Sequence, residues 1–195
     1  QSLNDTICYY FIDGIDLFNY IAESNDFYKN ETLIAETIYQ ILQGLESLLE
    51  INLVHLDIKP ENIVVQSTFP IKITIIDLSF CSDYTKNNKL DKVLGTFGYI
   101  SPEMLIKQTF FHNTDIWSIG IIIFLLYTKT FIFNIEDEKY LETLCDLNKI
   151  TDELKLGLEK VPKNLKKLLK MCLRYNTNYR ISVVGLKNMI DELYL

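Results

Sequence analysis

Residues that interrupt or cross-link a polypeptide are scarce in this chain. Its 195 residues include only four prolines, seven glycines and four cysteines. So few prolines and glycines leave no stretch with the composition of a linker, and we expect one domain over residues 1–195. Cys8, Cys81, Cys145 and Cys172 contain no CxxC pair. This spacing argues against a zinc site or a redox motif. We expect reduced thiols in a cytoplasmic protein, without excluding the nucleus.

Two further absences concern membranes and nucleic acids. The most apolar run, Ile116 to Tyr127, is about twelve residues long, whereas a membrane helix needs roughly twenty. The net charge is −7, and the sequence indicates lysines scattered among acidic residues, with no continuous basic stripe. We therefore expect the apolar run to be a buried helix, and we expect neither a membrane nor a nucleic acid as a partner.

Apolar periodicity predicts an α+β domain that is mainly helical and carries one short hairpin. The β-branched and aromatic run from Thr6 to Ile12 ends at Asp13-Gly14, which is typical of a strand that enters a turn. Two apolar runs, Asn62 to Val65 and Ile71 to Ile76, predict the hairpin, and the polar segment after Phe80 predicts a loop. Apolar residues three or four positions apart predict helices. These cover Leu17 to Ile21, Thr32 to Leu49, Trp117 to Leu126, Leu141 to Leu158, Pro162 to Leu173 and Val183 to Leu193, with a short one opening at Pro102.

One polar segment contains the groups that phosphoryl transfer from a nucleotide requires. That reaction needs a carboxylate near the attacking hydroxyl, a cation on the moving phosphoryl group and oxygen ligands for magnesium. The segment His55 to Asn62, which reads HLDIKPEN, supplies all three. It resembles the catalytic loop of eukaryotic-type protein kinases, HRDxKxxN, except that Leu56 stands in place of arginine.

The resemblance implies a role for each polar side chain of this loop and for one carboxylate after it. Asp57 would orient the substrate hydroxyl and accept its proton, and Lys59 would neutralise charge on the transferring group. Asn62 would ligate magnesium together with Asp77, which ends the apolar run of the predicted hairpin. ATP and Mg²⁺ are the cofactors that these assignments imply.

A second motif, Gly95 to Glu103, reads GTFGYISPE and resembles the end of a kinase activation segment. In style it is nearest to the calcium/calmodulin-dependent kinase group. The resemblance implies that Thr96 hydrogen-bonds both Asp57 and Lys59, which is a feature of serine/threonine kinases. Lys59 itself favours serine/threonine over tyrosine specificity. A protein substrate is therefore the expected partner.

Other positions of the resemblance are structural. Glu103 needs a buried cationic partner, and the family's arginine at that place corresponds to Arg180. Asp115, at the start of the segment DIWSIG, would hold the backbone of the catalytic loop. Leu78-Ser79 replaces the family's Phe-Gly after the metal-binding aspartate, and we expect Leu78 to fill an apolar slot beneath His55.

Residues Tyr9 to Phe18 resemble the hinge between the two kinase lobes. The backbones of Tyr10 and Ile12 would bond adenine, and Val64 would form the floor beneath it. Asp16 would reach the ribose or the substrate. This assignment rests on a more variable pattern than the catalytic loop does.

The resemblance begins where the amino-terminal lobe of a kinase should end. It assigns residues 1–16 to the hinge region and 17–195 to the carboxyl-terminal lobe. The chain has no GxGxxG motif, and no lysine precedes the hinge. We therefore expect a fragment that is inactive or very weak alone. We also expect it to expose an apolar face for the missing lobe or for a partner that covers the hinge.

Leu56 bears on regulation. In the family, the arginine at this position grips a phosphate on the activation loop, and leucine has no charge with which to do so. The catalytic loop is therefore of the non-RD kind. The resemblance predicts a kinase that does not need activation-loop phosphorylation.

Three functions are compatible with these motifs. The first is a serine/threonine protein kinase that transfers the γ-phosphoryl group of ATP to protein hydroxyls. The second is a pseudokinase or kinase-like binding scaffold, which the missing phosphate-binding elements, Leu56 and Leu78-Ser79 favour. The third is a small-molecule phosphotransferase, which Lys59 and the segment Gly95 to Glu103 disfavour.

Overall fold

The computed structural model describes residues 10–24, 27–133, 135 and 138–194. These residues form a mainly helical domain with small antiparallel sheets, as the sequence predicted. The helices are α1 (Leu17–Glu23), α2 (Glu31–Glu50), α3 (Pro102–Lys107), α4 (Asp115–Thr128), α5 (Glu138–Cys145), α6 (Leu147–Leu158), α7 (Lys163–Cys172) and α8 (Val183–Tyr194). The strands are β1 (Ile15–Asp16), β2 (Leu53–Val54), β3 (Ile63–Thr68), β4 (Ile71–Ile75) and β5 (Ser82–Asp83).

Helix α4 forms the centre of the core. Every residue from Asp115 to Leu126 is buried, and a helix that is apolar on all sides belongs in the interior of a domain. It packs against α2 and α7. The expectation of a buried helix in this run is confirmed. No helix among the described residues is long and apolar enough to cross a membrane.

Helix α2 supports the sheet that carries the site. Asn30 caps its first turn, since the side-chain oxygen accepts the N–H of Leu33 at 3.0 Å. Its apolar stripe, which includes Ile34, Ile38 and Ile41, is buried. The helix packs against both α8 and β4. This contact fixes the strand whose end delivers the candidate metal ligand.

The predicted hairpin is confirmed as β3 and β4, which pair antiparallel with Ile63 opposite Ile75. A shift in the register between Val65 and Ser67 marks a β-bulge. The two-residue strand β1 pairs with the other edge of β3 and places Asp16 opposite Val64. Residues 53–83 thus begin and end in a second small sheet, formed by β2 and β5.

The expectation of a strand at the amino-terminal end was wrong for the residues that the structure describes there. Residues 10–12 are not in a strand, and the rest of the run that begins at Thr6 lies outside the described residues. The predicted loop after Phe80 is confirmed, apart from the strand β5, whose two residues are too few to show a periodic pattern. The apolar pattern of Leu17, Phe18 and Ile21 predicted that all three face inward in α1, and this is wrong for Phe18, which is exposed, while Leu17 and Ile21 are buried.

The segment Leu141 to Leu158 was predicted as one helix but forms two, α5 and α6. The break lies at Asp146, whose carboxylate accepts the N–H groups of Asn148 at 2.8 Å and Lys149 at 3.4 Å. A side chain that bonds to the backbone in this way begins a new helix and competes with continuation of the previous one. Apolar periodicity runs through both helices and therefore hides the break.

Candidate active site

A buried carboxylate anchors the candidate catalytic loop, His55 to Asn62. Asp115 accepts the N–H of His55 at 2.7 Å and that of Leu56 at 2.8 Å. Leu56 has a φ of 70°, a left-handed conformation that costs leucine roughly 1–3 kcal/mol. The two charge-assisted hydrogen bonds hold the loop in this strained state. The expected role of Asp115 in holding the loop backbone is confirmed.

The electrostatic setting of Asp115 explains why both bonds are needed. Burial raises the pKa of Asp115, because the charged form loses its hydration. The neighbouring His55 and the two backbone N–H donors act in the opposite direction and favour the carboxylate. Leu56 is buried, so water cannot replace Asp115 as the partner of its N–H.

Asp57, Lys59 and Thr96 form one hydrogen-bonded group. The Thr96 hydroxyl donates to Oδ1 of Asp57 at 2.7 Å, and Lys59 Nζ donates to the Thr96 hydroxyl oxygen at 2.8 Å. Lys59 Nζ also lies 3.1 Å from Oδ2 of Asp57. Asp57 is buried, whereas Lys59 is partly exposed. The predicted bonds from Thr96 to both partners are confirmed.

Asn62 is oriented by the same carboxylate. Its side-chain N–H₂ donates to the backbone oxygen of Asp57 at 2.9 Å and to Oδ2 of Asp57 at 3.2 Å. With the nitrogen fixed in this way, the amide oxygen points elsewhere, and no donor among the described residues contacts it. That oxygen is available to a cation.

Asp77 follows a residue that is hydrogen-bonded to Asn62. The N–H of Ile76 donates to the backbone oxygen of Asn62 at 2.9 Å, which ties the end of β4 to the catalytic loop. Asp77 itself is exposed and has a φ of 62°. The Ser79 hydroxyl donates to Oδ1 of Asp77 at 2.6 Å, and this bond, followed by that from the Ser79 N–H, lowers the pKa of Asp77. Its carboxylate is therefore ionised at neutral pH.

The donor chemistry of these residues fits Mg²⁺. Within the described part of the chain no group of three or more His, Cys, Asp or Glu side chains converges on a metal position. Mg²⁺ normally takes one or two oxygen ligands from a protein and the rest from phosphates and water. The amide oxygen of Asn62 and the carboxylate of Asp77 are ligands of that kind. The site suits a magnesium ion that arrives with a nucleotide.

A cavity of about 800 Å³ opens beside these residues, a volume in the range of nucleotide-sized ligand sites. Ile12, Val64 and Asp77 line it, as do Tyr10, Phe11, Thr74, Ile75, Ile76 and Leu78. Asp16 does not line it. Its carboxylate caps α1 by accepting the backbone N–H of Asn19 at 2.9 Å and the side-chain N–H₂ at 2.6 Å. The structure thus brings Tyr10, Ile12 and Val64 to one cavity. It places the fourth hinge candidate, Asp16, on β1, the edge strand of the three-stranded sheet.

The expectation that Leu78 fills an apolar slot beneath His55 was wrong. Leu78 is 45% exposed and lines the cavity. His55 is instead buried, and its Nε2 lies 3.2 Å from the backbone oxygen of Ile76. On its other side Leu78 lies near Gly44, Ser47 and Leu48 of α2, so it is at the surface between that helix and the cavity and not beneath His55.

The predicted pair of Glu103 and Arg180 is confirmed. The guanidinium donates to the two carboxylate oxygens at 2.5 and 2.8 Å, and both side chains are buried. Thr114 adds a third bond to the carboxylate at 3.0 Å. This bidentate pair joins α3, in whose first turn the GTFGYISPE segment ends, to the loop before α8.

Two contributors were not recognised in the sequence. Thr114 was missed because a single threonine carries no signal for a partner eleven positions away. Ser79 was considered only for the backbone freedom that it lacks, although an Asp-x-Ser sequence is typical of a side chain that bonds to the residue two positions on. That signal was present and would have identified Ser79 as the donor to Asp77.

Comparison with known proteins gives a consistent result. Residues 3–194 match the profile of the protein kinase domain family. The chain is 31% identical over 188 residues, 93% of its length, to calcium-dependent protein kinase 4 of Plasmodium falciparum. It is 32% identical over 164 residues, 83% of its length, to the serine/threonine-protein kinase CLA4 of Candida albicans. The aligned parts make up 35% and 16% of those two proteins, so the chain spans about a third of one relative and a sixth of the other.

Proposed function

The chain belongs to the protein kinase domain family, and from this membership we propose that it transfers the γ-phosphoryl group of ATP to serine and threonine hydroxyls of proteins. The observation that carries the proposal is the bonded group of Asp57, Lys59 and Thr96. In this group a hydroxyl connects a buried carboxylate to a partly exposed ammonium. Such a group can position a nucleophile beside a phosphoryl group.

Each of these side chains has a distinct task in the proposed reaction. Oδ1 of Asp57 accepts the proton of the attacking hydroxyl, and the Thr96 bond fixes the direction in which that oxygen points. Lys59 supplies positive charge to the transferring group. Asn62 and Asp77 hold the metal that ATP brings, and bound Mg²⁺ neutralises charge on the phosphates. Their adjacent backbones support this division of roles.

For the nucleotide, we propose the cavity that Val64 and the hinge candidates line. The backbones of Tyr10 and Ile12 bond adenine, and Val64 forms the floor beneath the base. Asp16 reaches the ribose or the substrate, for which its capping bonds to α1 would have to open. Phe11 and Leu78 present apolar surface on the same side, which suits an amino-terminal lobe or a partner that covers the hinge.

The finer assignments complete the proposal. The chain is the hinge region and carboxyl-terminal lobe of a cytoplasmic kinase whose activation segment is of the calcium/calmodulin-dependent kind. Leu56 is apolar and buried, so position 56 offers no charge to an activation-loop phosphate. Transfer therefore does not depend on phosphorylation of that loop.

The test is magnesium-dependent transfer of labelled phosphate from ATP to casein by the full-length protein. We expect Asp57→Asn to lower the rate by roughly a hundredfold to ten-thousandfold, the usual contribution of a positioned general base. Asp191→Asn makes the same chemical change at an exposed position on α8 and should leave the rate unchanged. Equal rates in the wild type and in Asp57→Asn would show that the role given to Asp57 is wrong.

A kinase-like scaffold without efficient catalysis is the second candidate. It is favoured by Leu56 in place of the family's arginine and by the partly exposed Leu78, which with Ser79 replaces Phe-Gly. Calorimetric titration with Mg·ATP separates the two functions. A full-length protein that binds the nucleotide but releases no labelled product, with or without Asp57→Asn, is a scaffold.

A further inference from the structure

The carboxyl-terminal part of the chain holds a cationic segment that the proposed function does not use. Residues 160–190 contain eight lysines and arginines and no aspartate or glutamate. The expectation that basic residues are scattered among acidic ones is therefore wrong for this segment. In a chain with a net charge of −7, such a segment is a local reversal of sign.

Three of these cations lie on one exposed face. Lys167 and Lys170 belong to α7, and Arg174 follows its last turn. Spacings of three and four residues place side chains next to one another along a helix. Within the described residues, none of the three side chains forms an ion pair or a hydrogen bond. Their mutual repulsion is thus not balanced by an ion pair with any acid in the described part of the chain.

An apolar groove adjoins this face. A cavity of about 550 Å³ lies between α6 and the loop after α7, with Leu147, Leu154 and Leu173 among its lining residues. A second cavity, of about 690 Å³, lies on the other side of Lys170, Arg174 and Tyr179, and these three residues line both. We call the two cavities together the cationic groove. Tyr179 is 75% exposed and Leu147 is 53% exposed at its edges.

The groove is held in shape by the buried ion pair of the fold. Arg180 donates from Nε and Nη2 to the backbone oxygen of Arg174, at 3.1 and 3.0 Å. Asn176 caps the turn that carries Tyr179 by accepting the N–H of Asn178 at 3.0 Å. The backbone of the groove is therefore fixed before any ligand arrives, which lowers the entropic cost of binding.

We propose that the cationic groove docks an acidic amphipathic segment of a partner protein. Apolar side chains of that segment lie between α6 and α7, and its carboxylates pair with Lys167, Lys170 and Arg174. Neither cavity of the groove has an aspartate or glutamate among its lining residues, so no lining carboxylate repels such a ligand. This proposal does not rest on the proposed phosphoryl transfer.

An acidic peptide explains the groove better than a nucleic acid does. Much of the lining is aliphatic, and leucine side chains offer no partner to a phosphate. The rest of the molecule is strongly acidic and would repel a long polyanion that extends beyond the three cations. A short segment that combines carboxylates with apolar anchors satisfies both parts of the groove.

The test begins with selection from a random library of displayed 16-residue peptides on the immobilised full chain. Binders to the double variant Lys170→Glu/Arg174→Glu are removed first. We expect the selected peptides to be rich in Asp and Glu with interspersed Leu, Ile or Phe. A labelled synthetic copy of the most enriched peptide should bind the double variant at least about tenfold more weakly than the wild type, about 1.4 kcal/mol.

Two controls make the result specific. Lys72→Glu/Lys107→Glu reverses the same number of exposed charges away from the groove and should leave peptide affinity unchanged. Tyr179→Ala tests the apolar edge and should weaken binding without a change in net charge. The proposal is overturned if no acidic amphipathic peptide is enriched, or if both charge-reversal variants bind the peptide equally. It is also overturned if a 20-nucleotide single-stranded DNA or vesicles of anionic lipid bind these residues more tightly than the peptide does.

Discussion

Thr96 serves two candidate catalytic side chains with one hydroxyl. It donates its proton to Asp57 at 2.7 Å and accepts one from Lys59 at 2.8 Å. Because the ammonium polarises the hydroxyl, its bond to the carboxylate is stronger than a neutral one. Oδ1 of Asp57, the proposed acceptor of the substrate proton, therefore has a fixed direction before any substrate arrives.

This arrangement predicts a separation of kcat from KM. Thr96→Ala removes both bonds, and hydrogen bonds to charged groups contribute roughly 1.5–3 kcal/mol each. We expect kcat for transfer to a protein substrate to fall by about tenfold to a hundredfold. The KM for ATP should change little, because Thr96 does not line the nucleotide cavity. Steady-state kinetics of the full-length protein provide both values.

Thr96→Ser is the matched variant. It keeps the hydroxyl and removes only a methyl group, so it should retain most of the wild-type kcat. If serine and alanine lower kcat equally, the methyl group or the local backbone matters and the hydroxyl does not. The positioning role of Thr96 would then be wrong.

Site residues could be predicted from the sequence where they lie close together along the chain. Asp57, Lys59 and Asn62 lie within one loop, and a single pattern identifies all three. The capping function of Asp16 depends on where α1 begins, which varies by a residue or two in any sequence-based prediction. Leu78 was misplaced for another reason, because its exposure depends on what covers β4.

At the scale of elements, the buried pair of Glu103 and Arg180 connects parts of the chain that are distant in sequence. It joins α3 to the segment between α7 and α8, and Arg180 also supports the backbone of Arg174. Removing one partner of such a pair leaves an uncompensated buried charge. Its loss should therefore affect the stability of the whole lobe.

We expect Arg180→Met to lower the free energy of unfolding by about 3–5 kcal/mol. Arg174→Met is the control, since Arg174 is exposed and its side chain has no partner among the described residues. It should change stability by less than about 0.5 kcal/mol. Urea denaturation followed by circular dichroism measures both values.

A double variant tests the physical cause. Glu103→Gln/Arg180→Met removes both charges, and we expect it to be more stable than Arg180→Met alone, because no unpaired carboxylate stays buried. If the double variant loses stability, relative to the wild type, by the sum of the losses measured for Glu103→Gln and Arg180→Met alone, the cost does not come from an unpaired charge.

Helices with a long buried stripe were predicted well from the sequence. Boundaries that depend on a local side-chain hydrogen bond were predicted poorly. The stripes of α2, α7 and α8 and the all-apolar run of α4 each predict a helix, and each is present. The end of α5 at Asp146 is set by two side-chain bonds that leave the apolar period unchanged. The strands β1, β2 and β5 have two residues each, too few for any periodicity.

At the scale of the whole molecule, positive charge is concentrated in one part of the chain. The acidic excess of the chain coexists with the cationic segment 160–190, and composition averages the two. Net charge therefore predicted the absence of basic regions incorrectly. Only the position of Lys167, Lys170 and Arg174 on one face, beside a groove, shows that the sign changes locally.

The cavity proposed for the nucleotide is bordered by exposed apolar side chains. Phe11 is 89% exposed and Leu78 is 45% exposed. Contiguous apolar surface of this kind favours association. We expect the 195-residue polypeptide, purified alone, to self-associate with increasing concentration and to bind the dye ANS.

The double variant Phe11→Ser/Leu78→Ser should weaken both effects, because it replaces the two exposed apolar side chains by polar ones. Leu156→Ser/Leu193→Ser is the matched control, since both leucines are exposed on helices away from the cavity. Sedimentation velocity over a range of concentrations measures the association. If the control reduces self-association as much as Phe11→Ser/Leu78→Ser does, general surface hydrophobicity drives it and the cavity face has no special part. If only the cavity variant reduces it, the face behaves as a surface that another polypeptide covers, as the proposed lobe assignment requires.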